Sequence, residues 1–224
     1  LERHVLVVFP HPDDETFSSG GTIALHTTAG TPVTYVCGTL GEMGRNMGKP
    51  FFATRESLPD VREKELREAC RVLGIRDLRL LGLRDKTVEF EDREVLAGRI
   101  KDIIEELNPS LIITHYPGFA VHPDHNALGA ATIRAVEMLP KERRPVVHCS
   151  AFSRDTREKL GDPDVINDVS SVIDIKMAAI RAHRSQSEAM LKRLEEEAQH
   201  RPEILRQAKA ERSREAYYTY RFDD

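Results

Sequence analysis

Cysteine is scarce in this 224-residue chain: Cys37, Cys70 and Cys149 are far apart and odd in number. That argues against a disulfide framework and fits a reducing, cytoplasmic setting. None has a Cys-x-x-Cys partner, so each reads as a small buried hydrophobe rather than a nucleophile. Basic excess is lacking too. Lys and Arg number 33 against 37 Asp and Glu, a formal charge of -4, with no basic block. Nucleic-acid and anionic-membrane partners are therefore not expected. No apolar run approaches the roughly 18 residues that span a bilayer. The first residues lack the basic, apolar and small-residue succession of a secretory leader. What the chain does have is a hydrophobic content of 40%, enough for a real core in a single domain over 1–224.

The apolar pattern alternates between strand and helix. His4 to Phe9 (HVLVVF) is a nearly continuous Val-rich run, as in a strand buried on both faces of a parallel sheet. Pro10 and Pro12 end it. Thr16 to Ala29 follows at helical spacing with Gly30 as its stop, and Val33 to Cys37 reads as a second strand, completing a βαβ unit. Gly38 to Asp60 is rich in Gly, Met and Pro without periodicity and predicts a long mobile loop, a kind that is usually functional. Helices over Val61–Leu73, Val95–Leu107 and Asn126–Glu137 then alternate with strands over Leu78–Leu81, Leu111–Thr114 and Val146–Cys149. The last third predicts a long helix over Asp174–Gln199, a short helix after Pro202 and a final strand over Tyr217–Phe222. This order predicts an α/β fold, a Rossmann-like, doubly wound, mostly parallel sheet.

Two segments carry chemistry. His11-Pro12-Asp13-Asp14-Glu15 comes directly after the first strand, and His122-Pro123-Asp124-His125 follows the LIIT strand by a short loop. In open α/β sheets ligands bind beyond the carboxyl ends of the strands. Alone, the first segment equally suits an acidic turn that caps the next helix. Two His-Pro-Asp turns in equivalent places make metal binding the stronger reading. Two His and one carboxylate with an open position suit catalytic zinc, and also non-haem iron(II). A spare acid beside an acidified water makes a hydrolase coherent. A nucleotide-binding reading of Gly38-Thr39-Leu40-Gly41-Glu42-Met43-Gly44 has the wrong glycine spacing and follows the second strand.

These motifs resemble those of the PIG-L/LmbE family of N-acetylglucosamine deacetylases. The likeness includes HPDDE, HPDH, the Gly-Glu-Met-Gly loop between them and Arg-x-x-Glu-Leu from Arg62 to Leu66. It continues into His183-Arg184-Ser185-Gln186, similar to a late His-x-Ser-Gln segment. The GEMGRNMG run resembles the branch that removes acetate from N-acetylglucosaminyl malate in bacillithiol synthesis. The resemblance implies zinc held by His11, Asp14 and His125, with Asp13 as general base. It implies that a cationic His122 serves the oxyanion or the leaving amine, that Asp124 orients an imidazole and that Arg62 binds substrate. Some members carry a Tyr where this chain has Ala120. The two carboxylates of a malyl group would call for Arg45, Arg55, Arg62 or Arg184. The partner implied is a small amino-sugar glycoside, and a homo-oligomer is compatible with the sequence. Two alternatives keep the metal site: an amidase acting on S-conjugates of the glucosaminyl thiol, and a non-catalytic sugar-binding module. The second leaves Asp13 without a use.

Overall fold

The computed structural model describes residues 1–223. Strands β1 (Val5–Phe9), β2 (Val33–Cys37), β3 (Asp77–Leu80), β4 (Leu111–His115) and β5 (Val146–Ser150) run parallel to their neighbours. The last two, β6 (Val165–Asp168) and β7 (Arg214–Thr219), are antiparallel additions, β7 on β5 and β6 on β7. The sheet order is β3-β2-β1-β4-β5-β7-β6. β1, β2 and β4 are buried along their whole length, which is why their sequences are apolar runs rather than alternations.

Helices cover both faces. Among the described residues they are α1 (Asp14–Thr28), α2 (Leu58–Leu73), α3 (Arg93–Leu107), α4 (Pro123–Glu137), α5 (Thr156–Leu160), α6 (Ile173–Ala182), α7 (Arg184–His200) and α8 (Glu203–Arg212). The two-residue period of β1 divides the core. Val5, Val7 and Phe9 pack with Ile23, Leu66 and Ala179 on the α1, α2 and α6 side. Leu6 and Val8 pack with Ile100, Leu128 and Val136 on the α3 and α4 side. The doubly wound sheet expected from the sequence is therefore present. The three cysteines are free and buried, and burial pushes the thiols of Cys70 and Cys149 up, as small core residues require. No described helix is long and apolar enough to cross a membrane.

Several elements differ from expectation. The helix expected over Asp174–Gln199 is broken at His183, whose backbone (φ -77, ψ 57) leaves the helical region. There the His183 ring reaches Glu15, and the N–H of Ser185 donates to Glu65 at 2.6 Å. These tertiary bonds override an uninterrupted helical pattern. Strand β6 (VIND) and the short α5 were not foreseen, because an edge strand of four residues and a helix of five are too short to show a periodic apolar signal. Strand β7 begins at Arg214, three residues before Tyr217, and ends at Thr219. The loop after β2 ends sooner than expected, with α2 starting at Leu58 and Pro59 in its first turn. It is also tethered: Met43 N–H donates to Asp85, Gly48 N–H to the Ser185 carbonyl and Lys192 Nζ to the Lys49 carbonyl.

Candidate metal centre

The sheet winds one way from β1 through β2 to β3 and the other way through β4 to β5, so the crevice lies between the carboxyl ends of β1 and β4. The two His-Pro-Asp motifs leave those strands and meet there. After Phe9 the chain makes a tight turn in which Asp13 takes a left-handed conformation, φ 102. The His11 N–H donates to Asp14 Oδ2 at 2.9 Å, and the Tyr35 hydroxyl holds the His11 carbonyl at 2.9 Å. On the other strand, α4 approaches the end of β4 closely at Gly129. A Cβ there would lie 2.4 Å from the His115 carbonyl oxygen, so a side chain would push away the helix that carries His125.

His11, Asp14 and His125 come together as a possible ligand set. His11 Nδ1 lies 3.2 Å from His125 Nε2 and 3.3 Å from Asp14 Oδ2, and His125 Nε2 lies 3.2 Å from Asp14 Oδ1. A tetrahedral zinc with bonds of about 2.0–2.1 Å has ligand-to-ligand edges of about 3.3 Å, close to each of these distances, with Asp14 meeting the two histidines through different carboxylate oxygens. Each imidazole has its other nitrogen occupied. His125 Nδ1 donates to the Ala120 carbonyl at 3.1 Å. His11 Nε2 donates toward Asp124 Oδ2 at 3.1 Å and Asp85 Oδ1 at 3.2 Å. Such partners set the tautomer that leaves the inward nitrogen free to bind metal. The fully buried Asp124 also accepts from the backbone N–H groups of Lys86 (2.7 Å) and Val88 (3.2 Å). A second grouping, His11 with His122 and Asp124, shares His11 but uses this already engaged carboxylate.

The electrostatics follow from burial against pairing. Burial disfavours the charge on His11, but hydrogen bonds to Asp124, Asp14 and Asp85 outweigh it and raise the imidazole well above its ordinary range. Burial would raise Asp14, yet His125 and His11 hold it well below. Burial drives His115 down to about 3, so it is neutral. Its ring stacks on His125 at 4.1 Å between centroids, supporting a metal ligand from behind.

Asp13 sits beside this triangle. Arg62, 4% exposed, donates from Nη2 to Asp13 Oδ2 at 3.0 Å and to the Pro12 carbonyl, and from Nη1 to the Gly41 carbonyl at 2.8 Å. Burial raises Asp13 to about 6, with the Arg62 charge opposing and Asp14 adding to the rise. His122 caps α4, its Nδ1 accepting the Asp124 N–H at 3.2 Å, and its ring lies 5.0 Å from that of His11. An Nδ1 that accepts a hydrogen bond carries no proton, and a helix N-terminus disfavours a cation. Burial, then His11 and His125, lower the His122 pKa. Both the hydrogen bond at Nδ1 and the lowered pKa disfavour the cationic His122 that the sequence suggested.

Of the arginines singled out in the sequence, Arg45 is exposed on the loop, and Arg55 Nη1 donates to the carbonyls of Glu42 (2.7 Å) and Gly44 (2.8 Å). Sequence reasoning missed Asp85, although its place after β3 at the same sheet edge was a usable signal. It also missed the pairing of Glu15 with His183, both fully buried, in which Glu15 Oε2 accepts the Asp13 N–H at 2.9 Å.

The model of the GlcNAc-PI de-N-acetylase family, PIG-L, matches residues 6–136, from β1 to the last turn of α4. A Bacillus cereus relative named probable N-acetyl-alpha-D-glucosaminyl L-malate deacetylase 2 is 60% identical over 85% of this chain and 87% of its own. A Bacillus subtilis relative of the same name is 52% identical over the full length of both. Among solved structures, N,N'-diacetylchitobiose deacetylase from Pyrococcus horikoshii superposes with a TM-score of 0.73 at 25% identity, over 98% of this chain and 84% of that one. With the family's span holding both His-Pro-Asp motifs and such relatives matching most or all of its length, the chain belongs to the PIG-L family.

Proposed function

We propose that this chain is a zinc-dependent deacetylase that releases acetate from N-acetylglucosaminyl L-malate. The observation that carries the hydrolytic chemistry is the His11–Asp14–His125 triangle with Asp13 held beside it by Arg62. The close relatives' names supply the sugar and its malyl group. Zinc bound by the triangle would acidify a water and polarise the acetamide carbonyl.

The chain's own residues do the rest. Asp13 takes the water's proton on a carboxylate oxygen, and Arg62 fixes that carboxylate in place. The Nε2–H of His122 donates to the carbonyl oxygen as negative charge grows there. The water oxygen bonds to the carbonyl carbon, the C–N bond breaks, Asp13 returns its proton to the nitrogen, and acetate and the free amino sugar leave. Asp124 and Asp85 hold the His11 ring in one tautomer throughout.

An amine-release assay on N-acetylglucosaminyl L-malate, an S-conjugate of the glucosaminyl thiol and free N-acetylglucosamine, each with and without added zinc, tests this. Zinc-dependent release with the highest kcat/KM on the malate glycoside is expected. Preference for the S-conjugate would replace the substrate, and no zinc-dependent release from any of the three would overturn the reading.

A further inference from the structure

A malyl group carries two carboxylates, and a site that prefers it needs cations whose hydrogen bonds are not already committed. Arg62 is committed to Asp13, Pro12 and Gly41, and Arg55 to Glu42 and Gly44. Arg184 lies over the Phe52 ring at 4.7 Å and 3.5 Å from Glu188. On the opposite flank, the segment after β5 borders a cavity of about 330 Å³ whose lining includes Phe152, Ser153, Arg154, Arg157 and Tyr218. That volume is within the range of small-molecule sites.

Three observations connect this cavity to the metal centre, and a fourth leaves its arginine free. β5 is parallel to β4 and next to it, so the segment that follows lies at the same sheet edge as His122 and His125. The Phe152 ring packs edge-on against His125 at 6.0 Å and His115 at 5.7 Å. The N–H groups of Phe152 and Ser153 both donate to the Phe119 carbonyl at 2.9 Å, fastening the cavity wall to the loop that carries His122. The neighbouring acid Asp155 is occupied by Ser153 Oγ (2.6 Å) and Lys159 Nζ (2.8 Å). Arg154 is thus left exposed and with no carboxylate partner among the described residues. Among the described residues Arg157 is paired with Asp162, at 3.7 Å, with both side chains more than 80% exposed, a screened contact that a ligand carboxylate can replace.

We propose that this cavity is the subsite for the dianionic aglycone, with Arg154 and Arg157 binding its two carboxylates. The proposal rests on the malate reading above. A guanidinium suits the task because its planar fork binds a carboxylate through two parallel hydrogen bonds. It also makes Phe152 the wall between the aglycone and the metal ligands.

The test is the ratio of kcat/KM on N-acetylglucosaminyl L-malate to that on free N-acetylglucosamine, in the unmutated enzyme and in Arg154→Ala, Arg157→Ala and the double variant, with metal content measured in each. Arg154→Ala is expected to shrink the ratio by roughly ten- to hundredfold, through KM more than kcat, the double variant further, and Arg154→Lys less. No preference for the malyl glycoside in the unmutated enzyme would remove the malate reading and the subsite with it. A clear preference that survives in the double variant would overturn the subsite alone. So would an equal loss on both sugars, since that is not aglycone recognition.

Discussion

Replacing Arg62 with Met separates two roles that the sequence alone could not distinguish: holding Asp13, or binding substrate. The guanidinium is buried, as is most of Asp13, and it bridges the HPDDE turn to the loop at Gly41. Met approximates its volume and removes the charge and donors. Breaking a buried pair from one side leaves the other charge uncompensated, which costs about 3–5 kcal/mol. The two orphaned carbonyls fall within the same loss rather than adding fully to it. Against a typical total stability of about 5–15 kcal/mol, that is a large fraction, so urea unfolding at fixed metal concentration will resolve it. The kinetic sign also follows. Asp13 must be ionised to accept a proton, so kcat/KM falls as pH drops through its pKa. Burial has raised that pKa to about 6 against the opposing charge of Arg62. Removing the arginine removes the opposition, and the acid limb of the profile moves to higher pH. Arg62→Lys, which keeps the charge but not the fork, should fall between the two. A stability loss below about 1 kcal/mol, the scale of an exposed pair, with a raised KM and an unmoved acid limb, would refute this and return Arg62 to the substrate.

Three further outcomes are expected. His11→Ala and His125→Ala should each lose the bound metal by elemental analysis; stoichiometric metal in either would break the ligand assignment. Asp13→Asn should keep its metal and lose roughly 10²–10⁴-fold in kcat, and near-normal turnover would exclude it as the base. Burial pulls the His183 pKa down, but the charge and hydrogen bond of Glu15 outweigh it and raise it above 6.5. The pair's contribution is therefore complete below pH 6.5 and lost as pH rises through the folded-state value. The stability gap between the unmutated protein and His183→Gln should shrink on the alkaline side, and a gap independent of pH would contradict that pairing.

The strand order of chemistry was legible early. HVLVVF and LIIT read as strands buried on both faces; one is followed directly and the other after a short loop by a His-Pro-Asp turn, which places both motifs at one edge of a parallel sheet. Local sequence also marked Pro10 and Pro12 as the end of the first strand and Gly30 as the end of the first helix, because their backbone preferences act within a few residues. What it could not specify depends on groups distant in the chain. The break at His183 is invisible to helical periodicity, because the partners that favour it are distant: Glu15 lies 168 residues from His183, and Glu65 lies 120 residues from Ser185. Asp85 belongs to no motif and acquires its part only where β3 ends beside His11. The charge preference of His122 also depends on folding: an N–H of its own helix occupies Nδ1, and burial with neighbouring imidazoles disfavours the charge. Periodicity and turn chemistry are local and so can be read in order along the chain, whereas pairing, burial and tautomer are properties of what the fold brings within about 3 Å.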